Sequence, residues 1–480
     1  MALANQRTHR EGVITHSLIK PMTDTVRNQT KVVEAMAECW PLVSALMGGT
    51  AAMRKAGKLF LPKWPNEPDD SYNQRRDTAT LFPAYSRTVE VLAGKPFSKP
   101  ITPGDDVPPK IASYFDDIDL QGRNLHAFAA SVCTAAMADG LAGILVDYPQ
   151  ADGLRTRADE VAAGVRPYFV QIDVKNILGW RSARVNGAEV LTQLRLLEIV
   201  DEPNGEFGEQ QVEQVRVLYP GQWQIWRQRQ AENGEKEWYV FTEGVTSVQK
   251  ICFVPVYGKR LGFMRGEPPL LELAHMNVEH WQSKSDQQTI LHIARVPILF
   301  AKGLGETGIV VGAATAVEGE ADSDLKYVEH SGKAIEAGRL SLLDLEDRMR
   351  QIGAELLVIK PGNTTVAQTM ADNEPGMCTL QRIVNDEEDA LDAALQLMAE
   401  WVGEAEGGHV NIFKDFGVST LAEASLDLLR DMNVDGTFSD ESLFKEAQRR
   451  GVISPDLDWG TEKTRITHNR PKPGVAQISD

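Results

Sequence analysis

The stretch from Glu267 to Ile352 limits the possible folds more than any other part of the chain. After Glu267-Pro268-Pro269 no Gly or Pro interrupts it as far as Val296, and Pro297 marks a stop. Proline is tolerated in a first helical turn because its missing N–H would be unpaired there anyway. Roughly 27 residues at 1.5 Å each give a rod on the order of 40 Å. The ends of this rod are apolar (Leu270, Leu271, Leu273, Ala274; then Ile290, Leu291, Ile293), while Gln282-Ser283-Lys284-Ser285-Asp286-Gln287-Gln288 is polar on every side. A helix polar all round bridges separate bodies or packs against copies of itself. A second helix is expected from Leu340 to Ile352, with Leu342, Leu345 and Met349 on one stripe. Between them lies a Gly-, Ala- and β-branched-rich segment that turns acidic at its end. The pattern is a stalk with a small tip.

At 480 residues the chain has room for two to four domains and a sizeable core. Cys39, Cys133, Cys252 and Cys378 lie far apart without a C-x-x-C pair, which excludes a disulfide framework or a zinc site as the organising device. The polar N-terminus has no apolar core of a signal peptide, and no apolar run is long enough to span a bilayer. The formal net charge of −18 denies the chain a global basic footprint for gripping phosphates. Solubility is the plainer meaning of that acidity. A surface past which DNA must slide without sticking would also be neutral or negative.

In chain order, residues 25–57, Tyr72 to Ala93 and 111–142 read as helices, and Gly143–Tyr148 as a short strand. Residues 100–109 and 151–165 are connectors. From Arg166 to about Val256 short alternating runs are separated by Asn-Gly-type turns, which signals β-hairpins. Trp223, Trp226 and Trp238 fall here. Beside basic residues they could stack single-stranded bases, but cross-strand packing is the commoner use and is expected. LLVIKP is a short strand; Met377 to Val402 is an amphipathic helix. Its run Asn385–Asp389 hints at metal ligands, yet consecutive carboxylates point around a helix rather than converging, so a solvated face is expected. Residues 418–455 read as a further helical piece, capped at Ser439, and the tail is expected to be disordered.

LPKWPNEPDDSYNQRRDTATLFPAYSRTVEVLAGKPF, then DDIDLQGRNLHAF, then DGLAGILVDYP resembles, in that order, a portal family of tailed double-stranded-DNA bacteriophages. Members of that family are often catalogued only as a domain of unknown function. YFVQIDVKNILGWR, the stalk, the helix before Trp401 and VNIFKDFG continue the likeness, which runs from about Tyr72 to Gly417. The resemblance implies an α+β portal fold, a homo-oligomeric ring of typically twelve subunits at one capsid vertex, and no catalytic activity. It implies a wing over 1–260 and 377–417, stem helices over 267–296 and 339–352, and a clip over 297–338. A small crown over 418–456 and a tail over 457–480 complete it. Expected partners are the terminase large subunit, a head-completion or adaptor protein, the major capsid or scaffolding protein, and double-stranded DNA in the channel, with no membrane. The location implied is the virion's portal vertex, and the host cytoplasm during assembly. Docking is expected at Gly303, Gly305, Glu306, Glu318, Glu320, Asp322 and Asp324. Within 353–376, after the strand, the polar stretch Pro361–Gly376 corresponds to a tunnel loop. Lys360, Asn363, Thr364, Thr365 and Gln368 are placed there, facing DNA.

Gly303-Leu304-Gly305-Glu306-Thr307-Gly308 matches a dinucleotide fingerprint, but Ile309-Val310-Val311 follows where a helix must begin to meet the pyrophosphate. Tight turns in a small β tip need only glycine's freedom. No phosphate loop, nucleophile elbow or paired-histidine metal helix occurs. No catalytic, cofactor or metal residue is therefore expected. A nucleotide-binding or carboxylate–metal enzyme and another ring or baseplate component are the alternative functions.

Overall fold

The computed structural model describes residues 25–149, 164–231, 234–295, 298–302, 322, 324–328, 332–357, 378–414, 433, 439–449, 453 and 457–469. It is an α+β fold in two compact units, one formed by 1–33 with 176–251, the other by 34–175 with 252–480. The boundaries at 175/176 and 251/252 fall inside the stretch that the sequence suggested as one wing.

The smaller unit is an antiparallel five-stranded meander, β4 (Ile177–Val185), β5 (Ala188–Asn204), β6 (Gly208–Tyr219), β7 (Gln222–Gln230) and β8 (Lys236–Val245), paired in chain order. Asn186 and Gly187 both take positive φ (51° and 86°) between Val185 and Ala188, as a two-residue primed turn demands. The core joins Leu178, Val215 and Val217 to Val26, Leu197, Tyr219, Trp226 and Trp238. Trp223 lies across the face of Gly244 on the neighbouring strand, where a Cβ would come within 2.7 Å of the indole. All three tryptophans therefore serve the sheet. On the charged side Arg216 pairs with Glu198 and Arg227 with Glu202, and Arg227 also stacks 3.9 Å from the Phe241 centroid.

In the larger unit a three-stranded antiparallel sheet runs β3 (Tyr168–Asp173), β2 (Leu141–Asp147), β9 (Phe253–Tyr257), while β1 (Thr102–Pro103) pairs with β14 (Val410–Asn411) and β10 (Lys259–Gly262) with β11 (Arg265–Glu267). Leu141 to Val146 are all buried, which explains the continuous apolar run at this point of the sequence. Helix α7 (Leu125–Asp139) packs on β2, and its alanines let it sit close. Asn124 caps its start by accepting from the Ala127 N–H, and Gly140 ends it in the left-handed region at φ 91°. A Cβ at Gly140 would meet the Glu267 carbonyl carbon at 2.4 Å. Gly140→Ala is therefore expected to lower stability by about 2 kcal/mol, through strain plus backbone contact, measurable as a fall in melting temperature. A melting temperature within a degree of wild type would remove both causes.

Three expected helices are broken. Residues 25–57 divide into an irregular start and the helices α1 (Lys31–Ala37), α2 (Trp40–Met47) and α3 (Gly49–Ala56). Pro41 lies in the first turn of α2, where its missing N–H costs nothing. Residues 72–93 divide at Pro83 into α4 (Asp69–Thr78) and α5 (Ala84–Gly94). Of 111–142, only α7 and the end of α6 (Pro109–Ala112) are α-helical; between them Leu120 and Gly122 take positive φ. Asp119 draws that loop together by accepting from the Gln121 and Arg123 amides.

Candidate functional site

Helix α8 (Leu271–Ala294) and helix α9 (Lys333–Glu355) form the stalk, packed side by side, with the two-stranded β12 (Ile298–Lys302) and β13 (Asp324–Val328) between them in sequence. The returning helix begins at Lys333, earlier than expected, so Lys333–Gly338 is helix and not tip. Its first turns cover α8: the Gln287 side-chain amide donates to the Ile335 carbonyl at 2.8 Å, and Gly338 leaves room for that side chain.

The polar middle of α8 has an explanation within one chain. His280, Ser285 and Gln287 are buried, as is Asn277 one turn earlier. Asn277 donates to the Phe82 carbonyl at 2.8 Å and accepts from the Tyr85 N–H at 3.0 Å, closing the otherwise open start of α5. Gln282 donates to the Phe60 carbonyl. His280 lies 3.3 Å from Glu346 on α9, with the Phe82 ring 5.2 Å away. Burial lowers the His280 pKa, with Glu346 pulling it back up. These polar groups tie α8 to its own chain; a bridge between copies is not needed to account for them.

Beside the end of α8 lies a cleft of about 550 Å³ walled by α4, the loop carrying Trp64, and the last turns of α8. Its floor is a buried ion pair. Arg75 donates to both Glu67 oxygens at 2.9 Å and to the Pro62 carbonyl at 2.8 Å, and its guanidinium stacks 4.2 Å from the Trp64 ring centroid. The Arg75 hydrogen bonds hold the Glu67 carboxyl below its ordinary pKa. Leu291, His292 and Arg295 form the opposite wall.

Helix α10 (Thr379–Val402) corrects the expectation of a wholly solvated acidic face. Glu387 is fully buried, and neither carboxylate oxygen has a hydrogen-bond partner in the protein. Burial pushes its pKa up to about 8. The Cys133 thiol on α7 pulls the other way without hydrogen-bond geometry to either oxygen. Glu388 instead pairs with Lys414 and accepts from the Ile412 N–H at 3.0 Å. Among the described residues no group of His, Cys, Asp and Glu could hold a metal ion, and no helix is long and apolar enough to cross a membrane.

Gly303, Gly305, Glu306, Glu318 and Glu320 lie outside the described residues, as do Gly308 and Lys360, Asn363, Thr364, Thr365 and Gln368. Asp322 and Asp324 are exposed, and Asp324 faces Lys302 in the β12–β13 register. Leu356 and Leu357 end α9 in a turn, where the sequence suggested a strand. The tail contains a helix, α12 (Trp459–Asn469), although disorder was expected. Asp458 caps it by accepting from the Thr461 N–H, and Trp459 packs on Phe444 of α11 (Asp440–Arg449). As expected, Ser439 caps α11, accepting from the Ser442 N–H at 3.1 Å.

Comparison with curated proteins gives no match. Among solved structures the chain is similar to the neck of an empty gene transfer agent particle computed with C6 symmetry. That likeness has 12% identity over 87% of this chain and 98% of the other, with a TM-score of 0.38. It is also similar to the neck of the native particle computed with C12 symmetry, again at 12% identity, over 84% and 99% of the two chains, with a TM-score of 0.39. Residues 269–402, from the approach to α8 through the end of α10, match the family described as a domain of unknown function, DUF4055.

Proposed function

We propose that this chain is the subunit of a portal, a ring at one vertex of a virion that connects head to tail. A terminase would drive DNA through the ring during packaging, and the genome would leave by the same channel. The exposed side of α9 is the observation that carries this reading. Of its 23 residues only Leu345, Met349 and Gly353 are buried, while Leu340 and Leu343 stand 49% and 42% exposed. A helix this long gains little stability from propensity alone and owes most of it to packing. Neighbouring copies in a closed ring would supply the missing cover. The ordered resemblance from Tyr72 to Gly417 and the family match over 269–402 point the same way. The ring is proposed as a homo-oligomer of twelve that acts without catalysis.

In this reading the β12–β13 tip, with Gly303 to Asp324, is the docking clip for terminase and later for a head-completion protein. The segment with Lys360, Asn363, Thr364, Thr365 and Gln368 faces DNA. The purified protein is expected to form rings of several hundred kilodaltons without nucleotide, visible by mass photometry and electron microscopy. Monomers or dimers across a wide concentration range would end this reading.

A further inference from the structure

The cleft beside α8 and the exposed side of α9 lie on opposite sides of one helix. Glu279 lines a shallow groove of about 380 Å³ between α8 and α9 with Leu340 and Asp344, whereas Gln288 borders the cleft. Nine residues at 100° each put these two positions about half a turn apart around α8. Their chemistry is complementary. The cleft offers a Trp64 face that is 40% exposed, together with Leu291, and Arg295 at its rim. Arg75 is already neutralised by Glu67, so Arg295 is the surplus charge. No ion pair or hydrogen bond of the His292 or Arg295 side chain occurs among the described residues. The α9 surface presents the exposed Leu340 and Leu343 beside Asp344, a carboxylate likewise without an ion pair among the described residues.

We infer that the cleft of one copy receives the Leu340–Leu343–Asp344 face of α9 from the next copy, with Asp344 set against Arg295. This rests on the ring reading and deepens it by assigning the contact. A donor face and an acceptor cleft on opposite sides of the same element make a heterologous contact, the kind that closes into a ring when the rotation permits. Two chains of formal charge −18 repel one another on average. A local basic rim facing the Asp344 carboxylate supplies both attraction and register. Trp64 and the two leucines, 40%, 49% and 42% exposed in a single copy, then lose their remaining water.

The test uses two full-length variants, Arg295→Glu and Asp344→Arg, with assembly read by mass photometry and folding by circular dichroism. Each variant alone is expected to lose the ring, since it places like charges in every contact. Mixing the two should restore rings. In an alternating ring one contact pairs Glu at 295 with Arg at 344, and the next keeps the native Arg295–Asp344 pair. Rings from either variant alone, while wild type also forms rings, would overturn the contact and leave the ring reading intact. Failure of the folded mixture to assemble would overturn it equally. Wild type without rings would overturn both. Should one variant misfold, Leu340→Asp replaces it: retained rings there again reject the contact.

Discussion

Replacing Glu387 with methionine is expected to stabilise the protein by roughly 3 kcal/mol at pH 7. The Glu387 carboxyl has a pKa of about 8 in the folded chain against an ordinary value of 4.5. Folding at pH 7 must therefore protonate a group that is ionised in the unfolded chain. Each pH unit above 4.5 costs about 1.4 kcal/mol, and the cost levels off as pH passes the folded value. The sign follows: stability from this group is complete below about pH 4.5 and is lost as pH rises towards 8. Methionine has similar length, carries no proton equilibrium, and removes two buried oxygens that lack hydrogen bonds. The check is thermal or urea unfolding at pH 5, 7 and 8.5. The gain from Glu387→Met should be smallest at pH 5 and largest at pH 8.5. A gain that stays flat across these pH values would show that Glu387 does not change its proton binding on folding.

Truncation of the Glu67–Arg75 pair should act in the opposite direction. Both side chains are almost fully covered, 3% and 4% exposed, and they share two hydrogen bonds. Glu67→Ala leaves a covered guanidinium with the Pro62 carbonyl as its one hydrogen-bond acceptor beside the Trp64 ring, and Arg75→Ala leaves a covered carboxylate with only the Trp64 N–H. Loss of one partner in such a pair costs about 3 kcal/mol or more. Here the Glu67 carboxyl has a depressed pKa, so its contribution is present above the ordinary carboxylate range and is lost as pH falls through the folded value. Wild type should thus lose stability in acid, and the difference from Glu67→Gln should shrink there. Equal melting temperatures for wild type and Glu67→Ala at pH 7 would refute this. Wild type's own stability then declines on both flanks, in acid through Glu67 and between about pH 4.5 and 8 through Glu387.

Local chemistry in the sequence determined a good deal. Asn186-Gly187 needs no tertiary help to make its hairpin, because the turn demands positive φ at both positions and these residues supply it. Ser439 before an apolar run, the alternation in β4 to β8, and the stretch from Leu271 to Ala294 free of Gly and Pro are signals of the same local kind. The α+β class followed from them. The tail helix was missed although Asp458 stands three residues before Thr461, a capping signal the polar composition concealed.

Tertiary structure decided what depends on which side of a helix is covered, since identical residues read alike whether or not a partner lies over them. Gln282, Ser285 and Gln287 look like a solvated band in sequence, yet Ser285 and Gln287 are buried, and other elements of the same chain accept the hydrogen bonds of Gln282 and Gln287. Glu387 sits in an acidic run whose other members include Glu388 in an ion pair. Only the packing of α10 beside Cys133 makes one of those carboxylates a buried group with a raised pKa. The cleft is the clearest case. Trp64, Arg75 and Arg295 are separated by up to 231 positions, and nothing local relates them until α4 is laid along the end of α8.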